Sequence, residues 1–239
     1  MRRPQLIAHR GASAVAPEST RAAIAAAVRA GADMVELDVQ MTRDRRLVIF
    51  HDDRLERTTN GRGRLSRTRY AELARLDAGG WFAPRFAGER VLLASQALRQ
   101  IPRRMGINLE LKRTPQRPQL TAGISRLLRR HRLGARLILS SFDDRLLAPF
   151  THRRMAVALI CGRRPDQSLR LAIRLGCAAW HPKHTLVTPA RIARAHAAGL
   201  RVRVWTVDTL PRARQLARWG VDGLFTNDPA RLRRAFQRP

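Results

Sequence analysis

One unit recurs along the chain: an amphipathic segment, a glycine, then a short apolar run. It stands at Gly31 before ADMVELDV, Gly134 before ARLILSS, Gly176 before CAAWHP, Gly199 before LRVRVWTV and Gly220 before VDGLFTN. A glycine just past a helix supplies the left-handed residue that turns the chain into the next strand. The segments ahead of these glycines have helical period: Leu120, Ile124, Leu127 and Leu128 share one face, as do Leu169, Ala172 and Ile173. Ser19, Asp166 and the pair Thr188–Pro189 mark helix starts. Helices alternating with strands imply a parallel sheet.

Nine strand-like segments are present, at 6–9, 35–38, 47–51, 108–111, 137–141, 157–161, 178–181, 202–206 and 222–226. The link QMTRDRR between the second and third is too short for a parallel crossover. The third segment must therefore return antiparallel, with residue 42 expected opposite 47 and Asp38 opposite His51. Eight strands remain, and the expected fold is α/β: a distorted (β/α)8 TIM-type barrel with a hairpin after the second strand. Residues 1–239 are read as one domain, with a small insertion at about 52–104 carrying TTNGRGR and GGWFAPRF. No glycine fingerprint of the Rossmann or P-loop kind follows any strand.

The net charge is +29, and Lys112 and Lys183 are the only lysines among 47 cationic residues. The arginines are dispersed, as pairs at 45–46, 103–104, 129–130, 153–154, 163–164 and 233–234, and aromatics make up only 5%. Nucleic-acid binding usually shows a clustered basic stripe with interleaved aromatics, so no dedicated nucleic-acid partner is expected. Weak attraction to anionic membranes follows from the charge alone. No apolar run approaches the ~20 residues that span a bilayer. The start MRRPQLIAHRG lacks an export signal's apolar region, and Cys161 and Cys177 read as buried thiols, so a cytoplasmic location is expected.

Active sites in such barrels lie at the C-terminal ends of the strands, where this chain concentrates its unusual polar residues. His9 and Arg10 end the first strand. Glu36 and Asp38, two apart, face the same way on the second, and Glu110 and Lys112 do so on the next barrel strand. His51 arrives through the hairpin. Buried carboxylates are unfavourable unless paired or bound to a cation, so three of them suggest an oxygen-ligand site for Mg2+ or Ca2+. Two histidines can act as general base and acid near neutral pH, while Arg10 and Lys112 would stabilise a phosphoryl centre. Acid, base, hard cation and guanidinium together describe phosphodiester hydrolysis.

In order and spacing, LIAHRGASAVAPEST, VELDVQMTRD, VIFHDDRLERTTNGRG, INLELK, SSFD, VWTVD and GVDGLFTNDP resemble the glycerophosphodiester phosphodiesterase family, from Leu6 to Pro229. LDAGGWFAPRFAGE further resembles its cytoplasmic bacterial branch. The resemblance implies metal-dependent hydrolysis of glycerophosphodiesters, such as deacylated phospholipid head groups, to sn-glycerol 3-phosphate and an alcohol. It implies Glu36, Asp38 and Glu110 as ligands of a divalent cation and His9 and His51 as the acid/base pair. Arg10 would bind phosphate, with Lys112 in support, Glu18 hydrogen bonding at the site, and Trp205 forming an aromatic wall near the glycerol. Ser19 stands where Asn is usual, Asp208 replaces the commoner Asn, and VLLASQ departs from a Pro-Thr-Leu-Glu pattern. His181 and His184 either line the mouth at the seventh strand or, the favoured reading, are satisfied structural histidines. Two alternatives accompany this reading. One is a lysophospholipase D-like enzyme with an apolar entrance at Trp81, Phe82 and Phe86; the other is an arginine-rich nucleic-acid-binding barrel.

Overall fold

Alternation along each strand decides which side chains meet inside the fold. The strands are β1 (Gln5–Ala8), β2 (Met34–Met41), β3 (Leu47–Ile49), β4 (Gly106–Leu111), β5 (Leu137–Ser141), β6 (Val157–Cys161), β7 (Ala179–Pro182), β8 (Arg201–Val204) and β9 (Gly223–Thr226). In the computed structural model, which describes residues 3–151 and 155–237, eight of them form a closed parallel barrel in the order β1-β9-β8-β7-β6-β5-β4-β2, with β2 pairing back to β1. β3 lies outside and pairs antiparallel with β2. The Arg153–Arg154 pair falls outside the described residues. The expected eight-stranded barrel with a hairpin after its second strand is the observed fold.

Leu6, Ala8, Val35, Leu37, Leu139, Leu159 and Leu224 point outward into the layer between barrel and helices. Their neighbours in sequence, among them Ile7, Met34, Ile138, Ala158 and Phe225, point inward and fill the barrel. Each fully buried aliphatic side chain contributes about 1.5–3 kcal/mol through removal from water, so the two apolar layers lock the register of the sheet.

Three local expectations change. The first barrel helix, Arg21–Arg29, is capped by Thr20, whose hydroxyl accepts from the Ala23 N–H; Ser19 precedes it with a φ of 63°. Asp166 lies within the first turn of Pro165–Arg174 and does not cap it, whereas Thr188 caps Pro189–Ala197. The insertion ends earlier than residue 104, because the helix Ala94–Gln100 packs between the helices Arg21–Arg29 and Arg117–His131 and belongs to the barrel's outer ring. The preceding excursion has a small core of its own, built on Val48, Phe50, Leu55, Leu65, Leu73, Ala78 and Val91.

The hairpin is shifted by one residue from the expected register. Met41 pairs with Leu47 and Val39 with Ile49, and Thr42 N–H donates to the Arg46 carbonyl. This leaves a three-residue loop whose last member, Arg45, has a φ of 60°. Three-residue hairpin loops commonly place a left-handed residue there. Phe50, not His51, therefore binds the Asp38 carbonyl, and Phe50 enters the small core. His51 begins the loop beyond β3, and its side chain reaches the barrel mouth from there.

Candidate active site

The inward-facing rows of β2 and β4 run in register, Glu36 beside Asn108 and Asp38 beside Glu110. This pairing brings oxygens of Glu36, Asp38 and Glu110 within 4.8 Å of one another. Lys112 donates to Glu110 at 2.8 Å and reaches Asp38 at 3.2 Å. Arg10 donates its backbone N–H to Glu36 Oε2 at 2.8 Å, while its Nε lies 3.4 Å from Asp38. Reaching that position requires a φ of 57° at Arg10 and 82° at Gly11. A Cβ at residue 11 would sit 2.7 Å from the Ala23 carbonyl carbon, so only glycine lets the loop pass this close to the first helix.

Burial, with Asp38 and Glu110 close by, raises the Glu36 carboxyl well above its ordinary range. Burial and then Asp38 push Glu110 up to about 7, Lys112 acting in the opposite direction. Burial works against the Lys112 ammonium, yet Asp38 and Glu110 hold its pKa above the ordinary value. Glu36 Oε1 and Asp38 Oδ2 are buried without a hydrogen-bond partner. Uncompensated buried carboxylate oxygens are costly, and three hard oxygen donors at this spacing fit a divalent cation.

His9 and His51 flank the carboxylates on the wall of a cavity of about 250 Å³, which Arg10, Lys112, Phe142, His181, Trp205 and Phe225 also line. The two imidazoles are held differently. His9 Nδ1 lies 2.8 Å from Asn227 Oδ1. Asn227 donates its amide N–H to Asp208 at 2.7 Å, and Ser13 donates to its Oδ1 at 2.8 Å. The amide oxygen therefore faces His9 and accepts from Nδ1–H, leaving Nε2 for the cavity. His51 Nδ1 instead pairs with the Asp52 carboxylate at 2.5 Å, and Arg57 grips that carboxylate. Burial and then Arg10 lower the His9 pKa; burial lowers that of His51, with Asp38 opposing. The Asp52 carboxyl, despite some burial, drops to about 2 through its bonds from Arg57 and His51.

Glu18 lies behind this wall, where it accepts from Arg10 at 3.0 Å and from both Nη atoms of Arg57 at 2.8 Å. A chain Arg10–Glu18–Arg57–Asp52–His51 thus connects the Arg10 guanidinium to the second histidine. Trp205 is on the wall, its Nε1 donating to the His181 carbonyl and its ring edge against Phe142 at 5.7 Å. His181 differs from the expected satisfied histidine: it is buried, neither ring nitrogen has a partner, and burial followed by Arg203 holds its pKa well below the ordinary value. His184 lies outside the cavity wall. Phe82 meets Trp81 and Phe86 edge-to-face, each at 5.6 Å between centroids, and none of the three lines the cavity; its apolar walls are Phe142, Ile160, Trp205 and Phe225. Sequence reasoning missed Asp52, Arg57 and Asn227 as partners of the site, although all three stand inside the quoted motifs.

The family model for the glycerophosphoryl diester phosphodiesterase family matches residues 9–231. The chain belongs to that family. A Bacillus subtilis relative is 36% identical over 229 residues, 94% of each chain. The glycerophosphodiester phosphodiesterase of Caldanaerobacter subterraneus is 33% identical over 235 residues, 95% of each chain. Among solved structures, an Oleispira antarctica phosphodiesterase in complex with the product sn-glycerol-3-phosphate superposes with a TM-score of 0.93 at 32% identity, covering 98% of this chain and 97% of that one. No helix among the described residues is long and apolar enough to cross a membrane.

Proposed function

We propose that the whole chain acts as one catalytic unit hydrolysing glycerophosphodiesters, the deacylated head groups of phospholipids, to sn-glycerol 3-phosphate and an alcohol. The observation that carries this reading is the juxtaposition, at one cavity, of two imidazoles with a cluster of three carboxylates, of which Glu36 and Asp38 each hold a buried oxygen without a hydrogen-bond partner. Glu36, Asp38 and Glu110 would hold Mg2+ or Ca2+, both of which favour oxygen ligands. A divalent cation so bound supplies a Lewis acid against the negative charge of the phosphoryl group. The product-bound Oleispira antarctica structure supports the substrate class.

The contrast between the two histidines supports a division of labour. His9, backed by a neutral amide and with its pKa lowered by burial and Arg10, is biased toward the neutral imidazole and suits the base that accepts the nucleophile's proton at Nε2. His51, backed by an ionised carboxylate, suits the acid that gives its proton to the departing alkoxide as the phosphorus–oxygen bond breaks. Arg10 and Lys112 offset the charge gathering on the phosphoryl oxygens. Trp205, Phe225 and His181 would receive the glycerol. Two free buried thiols support action in the cytoplasm, where the +29 charge would give only weak attraction to anionic membranes. The apolar entrance that the lysolipid reading calls for is not built from Trp81, Phe82 and Phe86, which lie off the cavity wall.

The test is glycerol 3-phosphate release from glycerophosphocholine and glycerophosphoethanolamine, with EDTA and with Mg2+ or Ca2+ restored, beside His9→Ala and Glu36→Ala. Metal-restored release that both substitutions abolish is expected. A folded, metal-loaded protein that releases none refutes the reading.

A further inference from the structure

A second cavity, about 410 Å³, opens beside the first and shares Phe142 and Ile160 with it. Gly162 forms part of its wall, close to Phe142 and Trp205 of the first cavity, where a Cβ would stand 3.5 Å and 3.9 Å from their rings. Three arginines line this outer space: Arg113 from the loop after β4, and Arg163 and Arg164 from the loop after β6. All three are exposed, no carboxylate lines the cavity with them, and none has an ion-pair partner among the described residues. The nearby acid Asp166 is already held by Arg191 and Arg194. The ten-residue helix Pro165–Arg174 begins at the same place, adding the positive end of its dipole.

A cationic leaving group such as choline would meet repulsion here, and a neutral one would leave three guanidiniums without a partner. We propose that the preferred substrates are glycerophosphodiesters whose alcohol half carries a second anionic group, a phosphate above all, which the Arg113–Arg163–Arg164 cavity receives. The inference rests on the proposed glycerophosphodiester hydrolysis: the glycerol half is fixed by the product, so the additional charge belongs to the alcohol. Guanidinium is suited to phosphate because its fork donates two parallel hydrogen bonds. The chemistry is unchanged, since water still displaces the alcohol from the inner phosphorus; the outer phosphate serves only to bind.

The experiment compares glycerophosphoglycerol with and without a phosphate on its terminal hydroxyl, and glycerophosphocholine as the cationic arm. Loss of the phosphodiester signal is followed by phosphorus NMR with the metal-loaded protein. At low ionic strength the phosphorylated substrate is expected to have a kcat/KM about tenfold above the neutral one, equivalent to about 1.4 kcal/mol. That ratio should shrink to within about twofold in the triple variant Arg113→Ala/Arg163→Ala/Arg164→Ala, and in the wild type as salt is raised, because exposed charges are screened. Equal kcat/KM values in the wild type, or a ratio unmoved by the triple substitution, would overturn this substrate assignment while leaving the hydrolase intact. Absence of turnover on all three substrates would instead overturn the proposed function itself.

Discussion

Replacing Glu110 by glutamine should make the metal-free protein more stable and the metal-loaded protein inactive. Burial, with Asp38 beside it, moves the Glu110 carboxyl from its ordinary 4.5 to about 7. The folded state therefore holds this proton more tightly than the unfolded state, and stability is lost as pH rises through that window. At about 1.4 kcal/mol per pH unit, the ionised carboxylate costs roughly 3 kcal/mol once pH exceeds 7. Glutamine preserves the shape without the charge, and Lys112 retains Asp38 as a partner at 3.2 Å. For a chain of this size 1 kcal/mol corresponds to about 2–4 °C in Tm, so Glu110→Gln in EDTA should melt roughly 6–12 °C above the wild type near pH 8 and close to it near pH 5. Taking the difference between the two proteins cancels the histidines, whose dependence on pH has the opposite sign. Saturating Mg2+ or Ca2+ should narrow or invert the ranking, because on the proposed reading binding to the folded state stabilises only the protein that retains all three carboxylates. Scanning calorimetry across this pH range, with and without metal, makes the comparison. A difference in Tm that stays flat with pH, or an equal response of both proteins to metal, would refute the reasoning.

Four further outcomes are expected. Asp52→Asn removes the carboxylate that supports protonated His51, so kcat should fall about a hundredfold and the basic limb of the pH–rate profile should move to lower pH. Asn227→Leu frees the His9 ring and strands its Ser13 and Asp208 partners, so kcat should fall about tenfold or more and Tm by a few degrees, as steady-state kinetics beside a melting curve would show. Arg45→Gly relieves a left-handed residue in an exposed loop and should raise Tm by about 1–3 °C, a gain of order 0.5–1 kcal/mol. His181 is buried and unpaired with a lowered pKa, so its share of stability is lost as pH falls below the unfolded-state value near 6.5. His181→Leu should accordingly lose less Tm than the wild type between about pH 8 and pH 5.

The parts of the fold legible in the sequence were those in which one local signal had one structural meaning. Glycines 31, 134, 176, 199 and 220 all adopt positive φ at the helix-to-strand turns where they were expected. The two-residue spacing of Glu36 with Asp38 placed both on the inward face, and the in-register neighbour β4 brought Glu110 to them. Signals failed where an unusual residue filled a special position. Arg45 takes a left-handed conformation that Asn or Gly would have advertised, which hid the three-residue loop and shifted the hairpin by one. The helix Ala94–Gln100 has Leu93 at its N-cap, with Gln96 reaching back to the Leu93 N–H, so no polar cap residue separated it from the insertion.

The pairing of His9 with Asn227 belongs to a third kind, legible only through closure. Residues 218 apart share no local pattern, yet a closed barrel makes its first and last strands neighbours, and β1 pairs with β9 so that Ala8 lies opposite Thr226. The next step along each strand sets His9 beside Asn227. The Asp208 carboxylate in the loop after the neighbouring β8 then accepts from both the Asn227 backbone and its amide, which fixes the amide orientation and through it the His9 tautomer. The apparent departure from the family at Asp208 is thus an acceptor matched to an asparagine donor. Replacing Asp208 by asparagine alone should loosen the amide's orientation and lower kcat with less effect on KM, while Asp208→Asn combined with Asn227→Asp restores a donor–acceptor pair and should recover part of kcat, with the acidic limb of the pH–rate profile moved to higher pH because a carboxylate then backs His9. Equal kcat in the single and double variants would show that this pair does not set the orientation of His9.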